Sequence, residues 1–237
     1  FDIGCVPCAV GTCLLGDVVS IHGLSSEQEK ELMGRIGEII DSGEGLVAVA
    51  PAAAPRPTAP KTFKYSPPVQ TLVDEHVLIK RFIALVPDLV AVLDLQTERG
   101  RQVVLRGVEF IRTYADAFHH AKEEDILFGY AEGTQEVIQV MLEDHTVARA
   151  HVKSIVEGVG RHDEGTVAKH LLAYAELLTE HIKREDEILY PWVDRTFTTT
   201  QVGELYAAFA AADAKADSAA ILRCRQFVEE LEVSLSK

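Results

Sequence analysis

Apolar side chains recur at steps of three and four residues from residue 69 to the C-terminus, without the strict alternation of a β-strand. This period is typical of helices with one buried face. It predicts four long helices and a fifth near the C-terminus, over about 69–95, 101–128, 132–159, 164–195 and 201–235. The links between them are short, which favours antiparallel neighbours. The pattern therefore predicts an all-α fold, an up-down four-helix bundle with an additional C-terminal helix.

Glycine and proline mark the expected ends of these helices. Pro87 should end or kink the first one, because proline removes a helical hydrogen bond and clashes with the preceding turn. Breaks between helices are expected at Gly100, Gly129, Gly133 and the 158–165 stretch.

The first 68 residues differ from the rest in composition. Residues 1–45 form a short Cys-containing segment with one predicted helix over about 25–41. Residues 46–68 are Ala/Pro-rich, and prolines at the density of PAAAPRPTAP favour an extended linker. We therefore predict a small N-terminal helical segment, a linker, and a helical bundle over 69–237.

Three of the four cysteines lie in the N-terminal segment. Cys5 and Cys8 form a Cys-x-x-Cys pair with Cys13 nearby, and this pair is a redox couple, part of a metal site, or a set of ordinary small residues. Cys224 stands alone and is expected to pack as a small hydrophobe. This arrangement does not predict a disulfide framework.

Composition and charge narrow the class of partner. The hydrophobic content of 47% suffices for a core, and the formal charge is −14. Nucleic acids and anionic membranes need a basic surface, so neither is an expected partner. No apolar run approaches the roughly 20 residues that span a bilayer, and the first residues do not resemble a signal peptide. We therefore expect a cytoplasmic protein.

Histidine and glutamate interrupt the apolar stripes at equivalent places in two halves of the chain. The first and third helices each carry a lone histidine mid-stripe, and the second and fourth each carry a His-x-x-x-Glu pair. These residues are His76 in DEH, His119 and Glu123 in HHAKEED, His145 in EDH, and His181 and Glu185 in HIKRED. The repeated register makes chance placement a poor explanation.

This spacing suits a pair of metal ions. Residues four apart on a helix lie one turn apart on the same face, so each pair brings an imidazole and a carboxylate together. Burying two carboxylates and four imidazoles without countercharge is costly, and two cations would offset that cost. Six donors leave open positions on two six-coordinate irons. Zinc usually takes fewer ligands, and ferritin-like sites are richer in carboxylate.

These motifs resemble the hemerythrin-like, or HHE cation-binding, family over about residues 69–195. The resemblance is most specific in HIKREDEILYP and extends to HHAKEEDILF, DEH and EDH. It implies an up-down four-helix bundle around an oxo- or hydroxo-bridged non-haem di-iron centre. The implied ligands are His76, His119, Glu123, His145, His181 and Glu185.

The resemblance leaves one question of register and shows one departure. HHAKEE contains two pairs, His119 with Glu123 and His120 with Glu124, and aligning LFG with LYP selects the first. His120 should then point away from the centre, because helical neighbours lie about 100° apart. Oxygen-carrying hemerythrins have a further histidine at the position of Arg149, so an oxygen-storage role is not expected.

Other residues on the predicted inward stripes have alternative roles. Tyr174 lies two turns before His181 and either donates a hydrogen bond beside the centre or fills the core. Tyr190 and Trp192 are expected to fill the core. Arg112 also falls on the predicted inward stripe of the second helix.

Three functions fit this ligand set. The first is a protein that binds or senses oxygen or nitric oxide at a di-iron centre. The second is an oxidoreductase or iron-centre repair protein acting in nitrosative or oxidative stress. In that case the Cys5–Cys8 segment, which loosely resembles a small redox-disulfide domain, would be the electron donor. The third is a bundle stabilised by metal alone. Open coordination positions favour binding or sensing.

Overall fold

The chain folds into successive helices in the part that a computed structural model describes, residues 65–131 and 135–236 with five positions near the N-terminus (Glu27, Lys30, Glu31, Gly34 and Arg35). No strand occurs among these residues. Residues Phe63–Lys237 form one compact unit. None of the described helices is long and apolar enough to cross a membrane. The predicted all-α fold is confirmed.

Four long helices and two shorter ones make up this unit. The second and fourth long helices each contain a π-helical segment. The helices are α1, Pro67–Ala91; α2, comprising Glu98–Phe110, π-helical Ile111–His120 and Ala121–Asp125; α3, Gln135–Gly160; α4, comprising Glu164–Arg184, π-helical Glu185–Leu189 and Tyr190–Thr196; α5, Thr199–Lys215; and α6, Ser218–Leu235. A 3₁₀ turn, Leu127–Tyr130, follows α2.

Consecutive long helices run antiparallel. In the α3–α4 pair, for example, Asp144 contacts His181 while the later residue His151 contacts the earlier residue His170. Contacts of Glu124 with His145 and of Asp116 with Arg149 relate α2 to α3 in the same way. The four long helices therefore form the predicted up-down bundle.

The C-terminal prediction is wrong in one respect, because two helices replace the single one expected over 201–235. The chain is extended at Ala216 (φ −68°, ψ 146°). Asp217 then caps α6, and its carboxylate accepts from the backbone N–H groups of Ala219 and Ala220. Aspartate at an N-cap satisfies donors that would otherwise lack partners. A helical period continues across this break, which hides it from pattern analysis.

The first connection also differs from the prediction. Pro87 does not end α1, which continues to Ala91. Gly100, expected in a break, lies inside the first turn of α2, after the N-cap Thr97. A Cβ atom at Gly100 would lie 1.9 Å from the carbonyl oxygen of Asp94, so only glycine fits there. Gly100 is therefore needed where the backbone of α2 passes close to that of Asp94, and it does not mark a helix end.

The second helix departs from its predicted register. Arg112 is exposed, whereas Ile111, Tyr114 and Ala115 are buried. All of them lie in the π-helical segment, whose i→i+5 hydrogen bonds give a wider turn than the α-helix. The inward stripe therefore shifts relative to a regular helical period.

A layer of polar residues separates two apolar cores. On α1, His76 lies between Leu72 of one core and Ile79 of the other. On α3, His145 lies likewise between Met141 and Ala148. Apolar packing on both sides thus holds the helices at the level where the polar side chains meet.

Predictions for the N-terminal region remain largely untested. The five described positions there are all helical, in agreement with the expected helix over about 25–41. Cys5, Cys8, Cys13 and most of the 46–68 linker lie outside the described residues. The boundaries at 45 and 68 therefore stay predictions.

Candidate metal centre

The six predicted ligands meet in the polar layer, one or two from each bundle helix. All are essentially inaccessible to solvent, at 0–1% exposure. Their donor atoms face one another across the bundle axis. The predicted inward stripes therefore bring these six side chains into one buried layer.

The histidines form two pairs joined through their Nε2 atoms. The Nε2 atoms of His76 and His119 lie 2.9 Å apart, and those of His145 and His181 lie 3.0 Å apart. Each pair joins neighbouring helices, α1 with α2 and α3 with α4. Nitrogen atoms converging in this way offer lone pairs to a common cation.

Glu185 connects the two pairs. Its Oε1 lies 3.1 Å from His181 Nε2, and its Oε2 lies 3.3 Å from His76 Nε2. Glu123 is placed between the same halves, with Oε2 3.7 Å from His119 Nε2 and 3.6 Å from His145 Nε2. Both carboxylates thus lie between the two histidine pairs.

Within the part of the chain that the structure describes, three carboxylate oxygens at this level have no hydrogen-bond partner, namely Glu123 Oε2 and both Oε atoms of Glu185. Leaving a buried polar group unpaired is costly, and more so when it is charged. These oxygens point at the Nε2 atoms described above. The donor set therefore fits a pair of cations, which would satisfy all three.

The electrostatics of the site agree with this reading. Burial and the charge of Glu185 hold the pKa of Glu123 well above its ordinary value. Burial alone would raise the pKa of Glu185 too, but the charges of His181 and His76 hold it well below. Burial opposes protonation of His181, whereas Glu185 and Asp144 raise its pKa to about 9. Without metal, the protein retains only part of the negative charge that its two glutamates can carry.

Each of the four histidines donates its Nδ1–H to a carboxylate, at 2.7–3.1 Å. Every acceptor is the sequence neighbour of another site residue. The pairs are His76 with Asp186, His119 with Glu75, His145 with Glu124, and His181 with Asp144. Such hydrogen bonds select the tautomer that leaves Nε2 free and raise its basicity. These contacts explain one acidic residue in each of the four motifs DEH, EDH, HHAKEED and HIKRED.

A cation pairs in turn with each of these four carboxylates. The four pairs are Lys80 with Asp186, Lys122 with Glu75, Arg149 with Glu124, and Arg184 with Asp144. Arg149 therefore has a role of its own, as the partner of the carboxylate that orients His145. Lys122 differs from the others because it is buried and also contacts Asp213 on α5.

The side chain of His120 does not point away from the centre, as the sequence predicted. It is buried, and its ring stacks on that of His145 with centroids 3.8 Å apart. Its ligand atom lies within 4.8 Å of those of Glu123, His145 and His181, and a second such group comprises His76, His119 and Glu185. The expectation that His120 points away is wrong, because the π-helical segment ending at His120 alters the direction of its side chains.

Of the two tyrosines considered in the sequence, Tyr190 and not Tyr174 hydrogen-bonds a site residue. The Tyr190 hydroxyl, assigned to the core, donates to Glu123 Oε1 at 2.6 Å. The Tyr174 hydroxyl makes no hydrogen bond with the described residues. Tyr174 instead lines a cavity of about 180 Å³ with apolar Ile111 and Val152, beside His120 and His145. The sequence does not reveal the contact of Tyr190, because its partner Glu123 lies on another helix.

Comparison with known proteins agrees with this geometry. Residues 68–193 match the Hemerythrin HHE cation binding domain, which covers more than half of the 237 residues. No curated protein and no solved structure matches the chain significantly. The matched region contains all six predicted ligands and nearly the whole four-helix bundle, and the chain therefore belongs to the hemerythrin HHE cation-binding domain family.

Proposed function

We propose that this protein holds two non-haem iron ions and uses them to bind or sense a small diatomic ligand, oxygen or nitric oxide. The observation that carries the proposal is the set of three buried carboxylate oxygens without hydrogen bonds, directed at four Nε2 atoms. His76 and His119 are the terminal donors on one side, and His145 and His181 on the other. Glu123 and Glu185, which lie between the two pairs, would hold both ions.

The donor types support iron over zinc. Closed structural zinc sites use four ligands, often including cysteine, whereas this site has imidazole and bridging carboxylate in excess of four. Imidazole and carboxylate donors suit iron. Iron supplies a reversible redox couple and open coordination positions for an exogenous ligand.

The residues around the centre favour a small ligand. The nearby cavity of about 180 Å³ is lined by apolar Ile111, Ala148 and Val152 together with Tyr174, two histidines and three charged side chains, those of Arg112, Asp116 and Arg149. A diatomic molecule fits such a volume, and a large polar substrate does not. The Nδ1 hydrogen bonds hold the histidines in one orientation, so ligand binding needs little rearrangement of the protein.

Anaerobic reconstitution tests the proposal. Protein loaded with ferrous iron should contain two irons per chain by elemental analysis, and admission of air or nitric oxide should change its visible spectrum. A variant with His76→Ala and His119→Ala should lose iron, whereas His151→Ala, which lies outside both ligand groups, should not. One iron or fewer per chain in the unmodified protein would refute the di-iron centre. If neither gas changes the spectrum, binding of a diatomic ligand is refuted, and the metal would only stabilise the bundle.

A further inference from the structure

His120 is a fifth imidazole at the centre, beyond the six predicted ligands. It is 3% exposed and follows His119 directly in the sequence. Neighbours on a regular α-helix point in directions about 100° apart, so both would not normally face one site. Here the pair ends the π-helical segment Ile111–His120, and both rings lie inside the bundle. Single-turn π-helical bulges occur often at functional sites, and this segment is longer.

The surroundings of His120 differ from those of an ordinary core histidine. A buried imidazole is normally held by hydrogen bonds to its ring nitrogens. The closest carboxylate oxygen, Asp116 Oδ1, lies 3.8 Å from His120 Nδ1, beyond hydrogen-bonding distance. That oxygen instead accepts two hydrogen bonds from Arg149, at 2.9 and 2.7 Å. Among the described residues, the His120 ring is thus positioned by stacking on His145 at the edge of the cavity and not by a hydrogen bond to a carboxylate.

The donors divide unequally between the two halves of the site. One group brings together three imidazoles, from His120, His145 and His181, with Glu123, and the other holds His76 and His119 with Glu185. The His120 ring is parallel to that of His145 within 18° and lies edge-on to that of His181, 5.7 Å away. Arg149, one turn after His145, pairs with Asp116 and Glu124 and is half exposed. The third imidazole thus comes from α2 and not from α3.

We propose that His120 is a protein ligand to the transition-metal ion of the His145–His181 half, so that the two metal positions are chemically different. This inference rests on the proposed function. The half with three imidazoles would then have fewer open positions than the His76–His119 half. His120 and His145 also border the cavity of about 180 Å³, which gives a small ligand a route to this side of the centre.

The test compares the unmodified protein with His120→Phe, which keeps a stacking ring but has no donor nitrogen. His151→Phe is the matched control, because His151 is partly buried on α3 and contacts His170 rather than the centre. Circular dichroism and melting of the metal-free proteins establish that each variant folds. If His120→Phe does not fold, His120→Leu takes its place.

Each protein is reconstituted anaerobically with ⁵⁷Fe(II), oxidised in air and measured by Mössbauer spectroscopy, with chelator competition for affinity. The unmodified protein and the control should show two quadrupole doublets of equal area. His120→Phe should change one doublet only and weaken one iron by at least about tenfold, since loss of even an outer partner costs 10–100-fold. An unchanged spectrum and affinity in His120→Phe, or a single doublet in the unmodified di-iron protein, would overturn the proposal. Failure of the unmodified protein to take up two irons would instead overturn the proposed function.

Discussion

Replacing Lys122 with methionine should destabilise the metal-free protein by about 3–5 kcal/mol, the usual cost of removing one partner of a buried ion pair. The Lys122 side chain is 2% exposed, and its ammonium group donates to Glu75 and, at 2.8 Å, to Asp213 Oδ1. It also lies 3.7 Å from the centroid of the Phe118 ring. Methionine retains most of the buried chain, so the loss reports the charge rather than a cavity.

Lys80→Met is the matched control for this experiment. Lys80 likewise pairs with a carboxylate that accepts from a site histidine, that of Asp186, but it is 51% exposed. Exposed ion pairs contribute at most about 1 kcal/mol, so this variant should lose little stability.

Urea unfolding at pH 8 measures the difference between the two variants. Burial raises the pKa of Glu75 to about 7, although Lys122 opposes this, so the carboxylate is mostly ionised at that pH in the unmodified protein and in Lys80→Met. In Lys122→Met the pKa of Glu75 should rise further, because the opposing charge is gone. The dependence of unfolding free energy on urea should keep the same slope in both variants. A loss in Lys122→Met no greater than that in Lys80→Met would refute the reasoning. Adding Glu75→Gln to Lys122→Met should recover part of the loss, because no unpaired charge then remains.

Three further predictions follow from other contacts. Tyr190→Phe should lower the unfolding free energy of the metal-free protein by about 1–3 kcal/mol, because Glu123 loses its hydrogen-bond donor. Tyr174→Phe should lower it much less, and urea unfolding of both variants measures the difference. Asp217→Ala should lower stability by about 0.5–2 kcal/mol through loss of the α6 cap, and a helix that simply continues from α5 would show no loss. Deletion of residues 1–45 should leave the iron content and spectrum unchanged, and equal rates of re-reduction with and without them would remove the redox role predicted for the cysteines.

The positions of the six predicted ligands follow from local periodicity. A residue's place on a helix face depends on its separation from its neighbours, so His76 and His145 fall mid-stripe in any regular helix. The same argument predicts the His-x-x-x-Glu pairs and the class of fold. Repetition in the two halves strengthens the inference, because both helical hairpins must bury equivalent stripes in one bundle.

Contacts between side chains on different helices depend on which helices are neighbours, and a local sequence pattern does not contain that information. The acids beside the ligands, such as Glu75 and Asp186, lie off the inward stripe and face a neighbouring helix. Their partners, His119 and His76, can be assigned only once that neighbour is known. The burial of Lys122 likewise requires Asp213 on α5, far along the sequence.

The π-helical segment of α2 is the clearest case decided by tertiary structure. Isolated π-helix is rare because its hydrogen-bond geometry is unfavourable, so sequence reasoning assumes the α-helical period and turns His120 away from the centre. In the folded bundle, packing of Ile111 and Tyr114 on one core and the stacking of His120 on His145 accompany the altered turn. The sequence by itself thus determined the helices and the ligand stripes through short-range periodicity. The bundle decided how many imidazoles reach the centre, because that number depends on contacts between helices.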